Sequence, residues 1–77
     1  MDASLAFGKV LRKMRMDAGL TQEQLGLEAD LRRTYVSILE LGQQQPSLTT
    51  IFKLAKALNC PPHKIVSNVE AEMRRKK

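Results

Sequence analysis

The chain has 77 residues, a single cysteine and a formal net charge of +5. This length limits it to one small domain, the lone cysteine excludes an internal disulfide framework, and no apolar run approaches the roughly 20 residues that span a bilayer. The last four residues, Arg74–Lys77, supply four of the positive charges, so net charge alone does not indicate a nucleic-acid partner. The start lacks the basic and apolar regions of a signal peptide, and we expect a cytoplasmic protein.

The first half of the chain predicts three helices, because its apolar residues recur at a spacing of three or four residues. The apolar face of the first helix consists of Phe7, Leu11, Met14 and Ala18. Gly19 ends that helix, and Thr21 with Gln24 forms the capping box that begins the second one. The third helix is predicted from about residue 32 to residue 41, and Gly42 ends it.

The second half of the chain predicts two further helices. Ser47 caps the start of the fourth, and the prolines Pro61 and Pro62 suit the first turn of the fifth. The apolar residues of the fourth helix are Leu48, Ile51, Leu54, Ala55 and Leu58. Those of the fifth helix are Ile65, Val66, Val69 and Met73. Five helices with short connections predict a compact all-α domain over residues 1–73, followed by a basic tail at residues 74–77.

The second and third helices have the spacing of a helix–turn–helix. About three residues around Asp30 separate them, and in this arrangement the second helix of the pair enters the major groove of DNA. The apolar residues at the spacing that holds two such helices together are Leu25, Ala29, Leu31, Val36 and Leu39. The pattern therefore predicts a DNA-binding domain whose recognition helix is the third one.

Most of the chain, from about Phe7 to Val66, resembles the Cro/repressor-type (XRE-type) helix–turn–helix family. The similarity rests on FGKVLRKMR, GLTQEQL, DLRRTYVSILELG, QQQPSL and IFKLAKALNC. The segment DLRRTYVS is also similar to the small controller proteins of restriction–modification systems. The resemblance implies a lambda-repressor-like fold, regulation of transcription and double-stranded DNA as the partner.

The resemblance also implies roles for individual residues. Gln22 matches a position that grips a phosphate, and the loop of residues 43–45 matches one that follows a phosphate. Arg33 and Thr34 match positions that reach base edges, and Tyr35 and Ser37 match places that touch the DNA backbone or nearby bases. Arg15 and Glu40 match an internal ion pair that joins the first and third helices. With the second arginine at the start of the third helix included, the candidate DNA-binding residues are Gln22, Arg32, Arg33, Thr34, Tyr35, Ser37, Ile38, Gln43, Gln44 and Gln45.

The chain departs from the family pattern at four positions. Asp30 stands where glycine is usual, and Gly26 stands where alanine is usual. A glycine inside a helix weakens that helix by up to about 1 kcal/mol relative to alanine. Ile38 and Leu41 replace residues that are usually polar. For Ile38 two alternatives stay open, a contact with a thymine methyl group and packing inside the protein.

The two arginines at the start of the third helix favour DNA contact on physical grounds. A guanidinium can bond guanine O6 and N7 together, whereas a cation opposes the positive end of the helix dipole. A residue choice that is locally unfavourable indicates a functional surface. The alternatives are a solvated helix start for Arg33 and its neighbours, ordinary helix-start chemistry for Gln22, and packing of Tyr35 against the fourth helix.

Catalysis and metal binding have little support in the sequence. Cys60 and His63 lie three residues apart, but the chain contains no second pair of such ligands to complete a zinc site. One histidine and one cysteine also do not assemble the groups that nucleophilic catalysis needs. We therefore expect neither an enzyme nor a cofactor, and no small-molecule ligand or membrane partner.

The fifth helix carries more apolar residues than one core-facing stripe needs. A broad core stripe and a dimer seam are the alternatives, and the seam is favoured because exposed apolar patches mark interfaces. The candidate dimer-interface residues are Ile65, Val66, Val69 and Met73. We expect a homodimeric, sequence-specific transcription regulator on a palindromic operator with half-sites about 34–36 Å apart. The alternatives are an antitoxin or adaptor that mainly binds protein, and non-specific nucleic-acid binding through the basic tail.

Overall fold

The computed structural model describes residues 1–75, and within this range the chain forms five helices and no strand. The helices are α1 (Ala3–Asp17), α2 (Gln22–Ala29), α3 (Arg33–Glu40), α4 (Leu48–Ala57) and α5 (Pro62–Arg74). The predicted all-α fold with five helices is therefore confirmed. Of the predicted basic tail, Arg74 ends α5 and Arg75 follows it, while Lys76 and Lys77 lie outside the described residues. None of these five helices has the length and apolar character needed to cross a membrane.

Short polar side chains cap the starts of α1, α2 and α4. The Asp2 carboxylate accepts a backbone N–H of α1 at 2.9 Å. At α2, the Gln24 N–H donates to the Thr21 hydroxyl at 3.1 Å, and the Thr21 N–H donates to the Gln24 side-chain oxygen at 2.8 Å, so the predicted capping box is confirmed. Ser47 accepts a backbone N–H of α4 at 3.1 Å. These bonds satisfy donors that have no partner inside the helices.

A single core lies where the five helices meet. α1 packs against α3 and α5, α2 packs against α3 and α4, and α4 packs against α5. The largest side chains that are fully buried are Leu11, Leu25, Val36, Leu39, Leu54 and Ile65. Removing these apolar side chains from water is the main favourable term in folding, and it fixes α2 and α3 against the rest of the domain.

The structure corrects three predictions about apolar faces. Leu48 belongs to the predicted stripe of the fourth helix, but it is 70% exposed, because Leu54 and Ala55 define the core-facing side and Leu48 lies beside it. Ala18 is exposed because it caps the end of α1 instead of lying within the helix. Ile65, a predicted dimer-interface residue, is 0% exposed and belongs to the core of the subunit.

α1 and the end of α3 approach so closely that only a residue without a side chain fits between them. Gly8 lies in α1, and a Cβ at this position would be 2.5 Å from the Glu40 carbonyl oxygen and 2.7 Å from the Leu39 carbonyl oxygen. Both neighbours are backbone atoms, which cannot move aside as a flexible side chain can. This contact sets the position of α3 relative to α1.

The Gly8→Ala variant is expected to be less stable than the wild type by about 1–3 kcal/mol, because the new methyl group forces α1 away from α3. Helix propensity alone predicts the opposite sign, since alanine inside a helix is favoured over glycine by about 1 kcal/mol. Urea denaturation at equal protein concentrations measures the difference. The control is Lys9→Ala, a change at the neighbouring exposed position that is expected to stay within about 0.5 kcal/mol. A Gly8→Ala domain more stable than the wild type would contradict the close-contact explanation.

Candidate nucleic-acid interface

The turn between α2 and α3 holds the two helices at their crossing. Asp30 ends α2 with left-handed backbone, φ 56° and ψ 48°, a conformation that aspartate adopts more readily than most residues. The Leu31 N–H then donates to the Gly26 carbonyl at 2.8 Å. A Cβ on Gly26 would lie 2.6 Å from the Leu31 carbonyl oxygen. Glycine in place of the family's usual alanine therefore fits the close approach of this turn, beyond its cost in helix propensity.

The apolar residues predicted to hold α2 against α3 do lie in the core. Leu25, Ala29, Val36 and Leu39 are all 3% exposed or less, and Leu31 is partly buried against the same cluster. These contacts occupy the inner side of α3 and leave its outer side towards solvent. The helix–turn–helix predicted from the sequence is therefore present, with α3 as its second helix.

The exposed start of α3 is strongly basic. Arg32 is the residue that caps the helix, and Arg33 and Thr34 form its first turn, so the helix starts one residue later than predicted. All three side chains are exposed, and this first turn contains no acidic residue. The salt bridges within residues 1–75 do not include Arg32 or Arg33, so both guanidiniums are free to bind a phosphate or a base.

The other candidate residues of α3 are half-buried. Tyr35 is partly buried and packs against the hydrophobic core. Ser37 and Ile38 are intermediate in exposure and face away from the fully buried Val36 and Leu39. The loop residues Gln43, Gln44 and Gln45 are exposed immediately beyond the end of α3. The arginines lie at the start of α3 and the loop follows its end, where Gln45 lines a groove together with Val66 of α5.

A hydrogen-bonded network connects α1, the start of α2 and the end of α3. The Arg15 guanidinium forms a two-point ion pair with Glu40, with Nε–Oε2 at 2.6 Å and Nη2–Oε1 at 3.0 Å, which confirms the predicted internal pair. A third guanidinium bond reaches the Leu20 carbonyl at 2.8 Å. The Gln22 amide nitrogen donates to Glu40 Oε1 at 3.1 Å. Because an amide nitrogen carries two hydrogens, Gln22 retains one donor for another partner.

The Arg15–Glu40 pair lies largely out of solvent. The two side chains are 11% and 3% exposed, respectively. The hydrogen bond from Glu40 raises the pKa of Arg15 above its usual value, and the charge of Glu40 acts in the same direction, while burial acts against both. The guanidinium therefore stays charged under all ordinary conditions. The pair fixes the side chain of Gln22 as well as the separation of α1 and α3.

A second, apolar surface lies on α5. Val66 is 52% exposed, Met73 is 44% exposed and Val69 is half-buried, while Ile65 lies beneath them in the core. Val66 and Val69 line a shallow groove of about 200 Å³ between α5, α1, α4 and the loop before α4. We call Val66, Val69 and Met73 the α5 apolar face.

The sequence did not lead us to expect an exposed apolar side on α4. Phe52 is 55% exposed, and it lies one helical turn after the exposed Leu48. Ile51, the neighbour of Phe52 in the chain, lines the same groove as Val66, whereas Leu48 and Phe52 line a separate shallow depression on α4. The spacing of four residues between Leu48 and Phe52 is the signal that could have identified this second apolar side of α4.

The buried crossing of α2 and α3, together with the exposed basic start of α3, defines a helix–turn–helix DNA-binding domain. Comparison with known proteins gives the same class of protein. The family described as Helix-turn-helix matches residues 11–65, which is more than half of the chain. The control protein C.BamHI of Bacillus amyloliquefaciens is 42% identical over 59 residues, covering 75% of this chain and 73% of that protein. The control protein C.MunI of a Mycoplasma species is 33% identical over 72 residues, covering 92% and 97%.

A solved structure gives the same result. The restriction–modification controller protein C.AhdI from Aeromonas hydrophila superposes with a TM-score of 0.77 at 43% sequence identity, covering 79% of this chain and 92% of that one. The chain therefore belongs to the XRE-type helix–turn–helix family of DNA-binding transcription regulators, and its relatives include restriction–modification controller proteins. Proteins of this family are regulators and not enzymes.

Proposed function

We propose that this chain is a sequence-specific regulator that acts as a homodimer on a palindromic operator, with α3 of each subunit in one major groove. The observation that carries this proposal is the pair of exposed guanidiniums, Arg32 and Arg33, at the start of a helix whose other side is buried. A rigid helix aims such groups, and a guanidinium is the side chain best suited to guanine in the major groove. On this proposal the protein acts in the cytoplasm.

The remaining polar residues of the surface fit complementary roles in this proposal. Thr34 is exposed in the same turn as Arg33 and reads a neighbouring base edge, while Ser37 and Tyr35 contact the adjacent backbone or bases. Gln22 donates its second amide hydrogen to a phosphate in an orientation held by Glu40. The loop of residues 43–45 follows the phosphates beyond the end of α3. Phosphate contacts position the domain, and base contacts select the sequence.

The α5 apolar face supports the dimer in this proposal. Val66 and Met73 expose large apolar side chains that a partner subunit can cover. A two-fold axis at this surface makes each subunit bury the same patch against its copy. The two recognition helices then meet successive major grooves on one side of the duplex, about 34–36 Å apart.

The relatives support a narrower form of the proposal. C.BamHI and C.MunI are named control proteins, and C.AhdI is described as a restriction–modification controller. We propose that this chain likewise controls the genes of a restriction–modification system. Deleting its gene and measuring the transcripts of neighbouring restriction and methyltransferase genes tests this directly, and unchanged transcript levels would contradict it.

The Arg33→Ala variant is expected to bind the selected operator more weakly by about 1–3 kcal/mol and to lose base preference at one position in each half-site. Selection of bound sequences from random duplex DNA, followed by affinity measurement on the selected and on random duplexes, gives both quantities. Gln22→Ala is the matched comparison, because loss of a phosphate contact weakens binding to all sequences alike. Equal losses on selected and random DNA for Arg33→Ala would show that Arg33 does not read a base.

A further inference from the structure

An exposed leucine continues the outer side of the recognition helix. Leu41 follows Ser37 by four residues and Thr34 by seven, so the three side chains share one face of the helix. Leu41 is 61% exposed and is not among the residues that pack against the core. It directly precedes the loop of residues 42–45. Polar candidate contacts therefore flank it on both sides along the chain.

Ile38 makes this end of the face apolar over more than one residue. Ile38 precedes Leu41 by three residues and is half-buried, so it supports the base of the leucine while exposing part of its own side chain. The face thus has a polar half, with Arg33, Thr34 and Ser37, and an aliphatic half, with Ile38 and Leu41. An aliphatic side chain cannot donate a hydrogen bond to a phosphate or to a base edge.

The major groove contains one apolar group that such side chains can bind. Among the four standard bases, only thymine presents a methyl group there, at C5. A cytosine methylated at C5 presents a methyl group at the same place on the pyrimidine ring. The aliphatic half of the face therefore matches a 5-methylpyrimidine, whereas the polar half matches hydrogen-bonding base edges.

We propose that Leu41, supported by Ile38, makes operator binding dependent on the methyl group of a 5-methylpyrimidine in each half-site. This inference rests on the proposed binding of α3 in the major groove. Eight residues separate Arg33 from Leu41, which is about 12 Å along a helix axis. For a helix that follows the groove, this distance corresponds to roughly three to four base pairs. The methyl group is therefore read at about that separation from the base read by Arg33.

The test removes methyl groups from the DNA one at a time. In the operator selected from random duplex DNA, each thymine is replaced symmetrically by deoxyuridine, and the dissociation constant is measured by fluorescence anisotropy. For the wild type, we expect one thymine position in each half-site at which removing the methyl group weakens binding about fourfold. Removing it from both half-sites should weaken binding about 15-fold. A cytosine at that position is expected to bind more tightly when it is methylated at C5.

The Leu41→Ala variant is expected to bind the thymine and deoxyuridine operators equally at that position. Leu27→Ala is the matched control, because Leu27 is a leucine of α2 that is 78% exposed while Leu25 and Ala29 face the core. This control should retain the methyl dependence of the wild type. Both variants alter an exposed side chain, so circular dichroism should show the same helix content as the wild type.

The remaining outcomes overturn the inference in distinguishable ways. If no selected duplex is bound in preference to random DNA, the proposed function itself fails. If an operator is bound but no thymine position is sensitive to its methyl group, only the role of Leu41 fails. The role also fails if Leu41→Ala keeps the wild-type methyl dependence, because another group then reads the methyl.

Discussion

The Glu40→Ala variant is expected to lose about 3–5 kcal/mol of folding free energy, because it leaves the guanidinium of Arg15 without its carboxylate in a site that is 11% exposed. A stability of about 0.05–0.15 kcal/mol per residue gives roughly 4–12 kcal/mol for a domain of 77 residues. The loss is therefore a large part of the total. Urea denaturation at a fixed protein concentration measures it.

The Glu40→Ala variant should also weaken binding to all DNA sequences alike. Gln22 loses the acceptor that orients its amide, and the proposed contact of Gln22 with a phosphate carries no sequence information. This effect is measured at a temperature and urea concentration at which the variant remains folded. A uniform loss on selected and random duplexes separates the positioning role of Glu40 from a base-reading role.

The control for the stability effect is the double variant Arg15→Met, Glu40→Leu. Replacing both members of a buried ion pair by apolar residues is often neutral or stabilising, whereas removing one partner leaves a buried charge without compensation. The double variant should therefore be more stable than Glu40→Ala by several kcal/mol. If the free energy of unfolding of Glu40→Ala falls by less than about 1 kcal/mol, the pair stabilises the fold no more than an exposed salt bridge does.

The Val66→Glu variant is expected to be a folded monomer that binds the operator about 100-fold or more weakly than the wild type. In the proposed dimer, the new carboxylate would be buried against its copy without a partner, which costs far more than the lost apolar contact. In the isolated subunit the same side chain is 52% exposed at this position, so the subunit can accommodate a charge there. Each monomer then binds a single half-site. It no longer gains the affinity that the dimer gains when its second subunit binds the other half-site of the same operator.

Sedimentation and operator binding together measure this effect. The matched control is Ser67→Glu, which adds the same charge at the next, exposed position of α5, where the helix presents a different side. The control should remain dimeric and bind normally. The wild type should also melt at a higher temperature as its concentration rises, as mass action requires for a dimer. A wild-type monomer at tens of micromolar with undiminished cooperative binding would overturn the dimer.

The helix boundaries and the crossing of α2 and α3 are predictable from the sequence because local chemistry determines them. Thr21 and Gln24 form their capping box from neighbouring residues alone, and Asp30 supplies a backbone conformation that few other residues adopt readily. The spacing of Leu25 and Val36 likewise depends on the regular repeat of a helix. The Arg15–Glu40 pair spans 25 residues, and only the family resemblance predicts it.

Features that depend on the exact placement of neighbouring helices are not predictable in this way. Leu48 recurs at helical spacing with the core residues Leu54 and Ala55, and this repeat does not reveal that Leu48 lies beside the core-facing side. Helix propensity alone makes Gly8 an unfavourable residue for α1. The reason for the glycine is the close approach of the end of α3, which only the structure reveals. Ile65 and Val66 are equally apolar neighbours, and only the packing of α5 separates a core residue from a surface one.

The division of α3 into a buried inner side and a free outer side has a consequence for how such proteins diverge. Val36 and Leu39 hold the helix, whereas Arg33, Thr34 and Leu41 are exposed and contribute little to the core. Substitutions at exposed positions usually change stability by no more than about 0.5 kcal/mol. Duplicated genes can therefore exchange the outward residues step by step, with each intermediate still folded. Two descendants can then differ in these outward residues while they share one folded core.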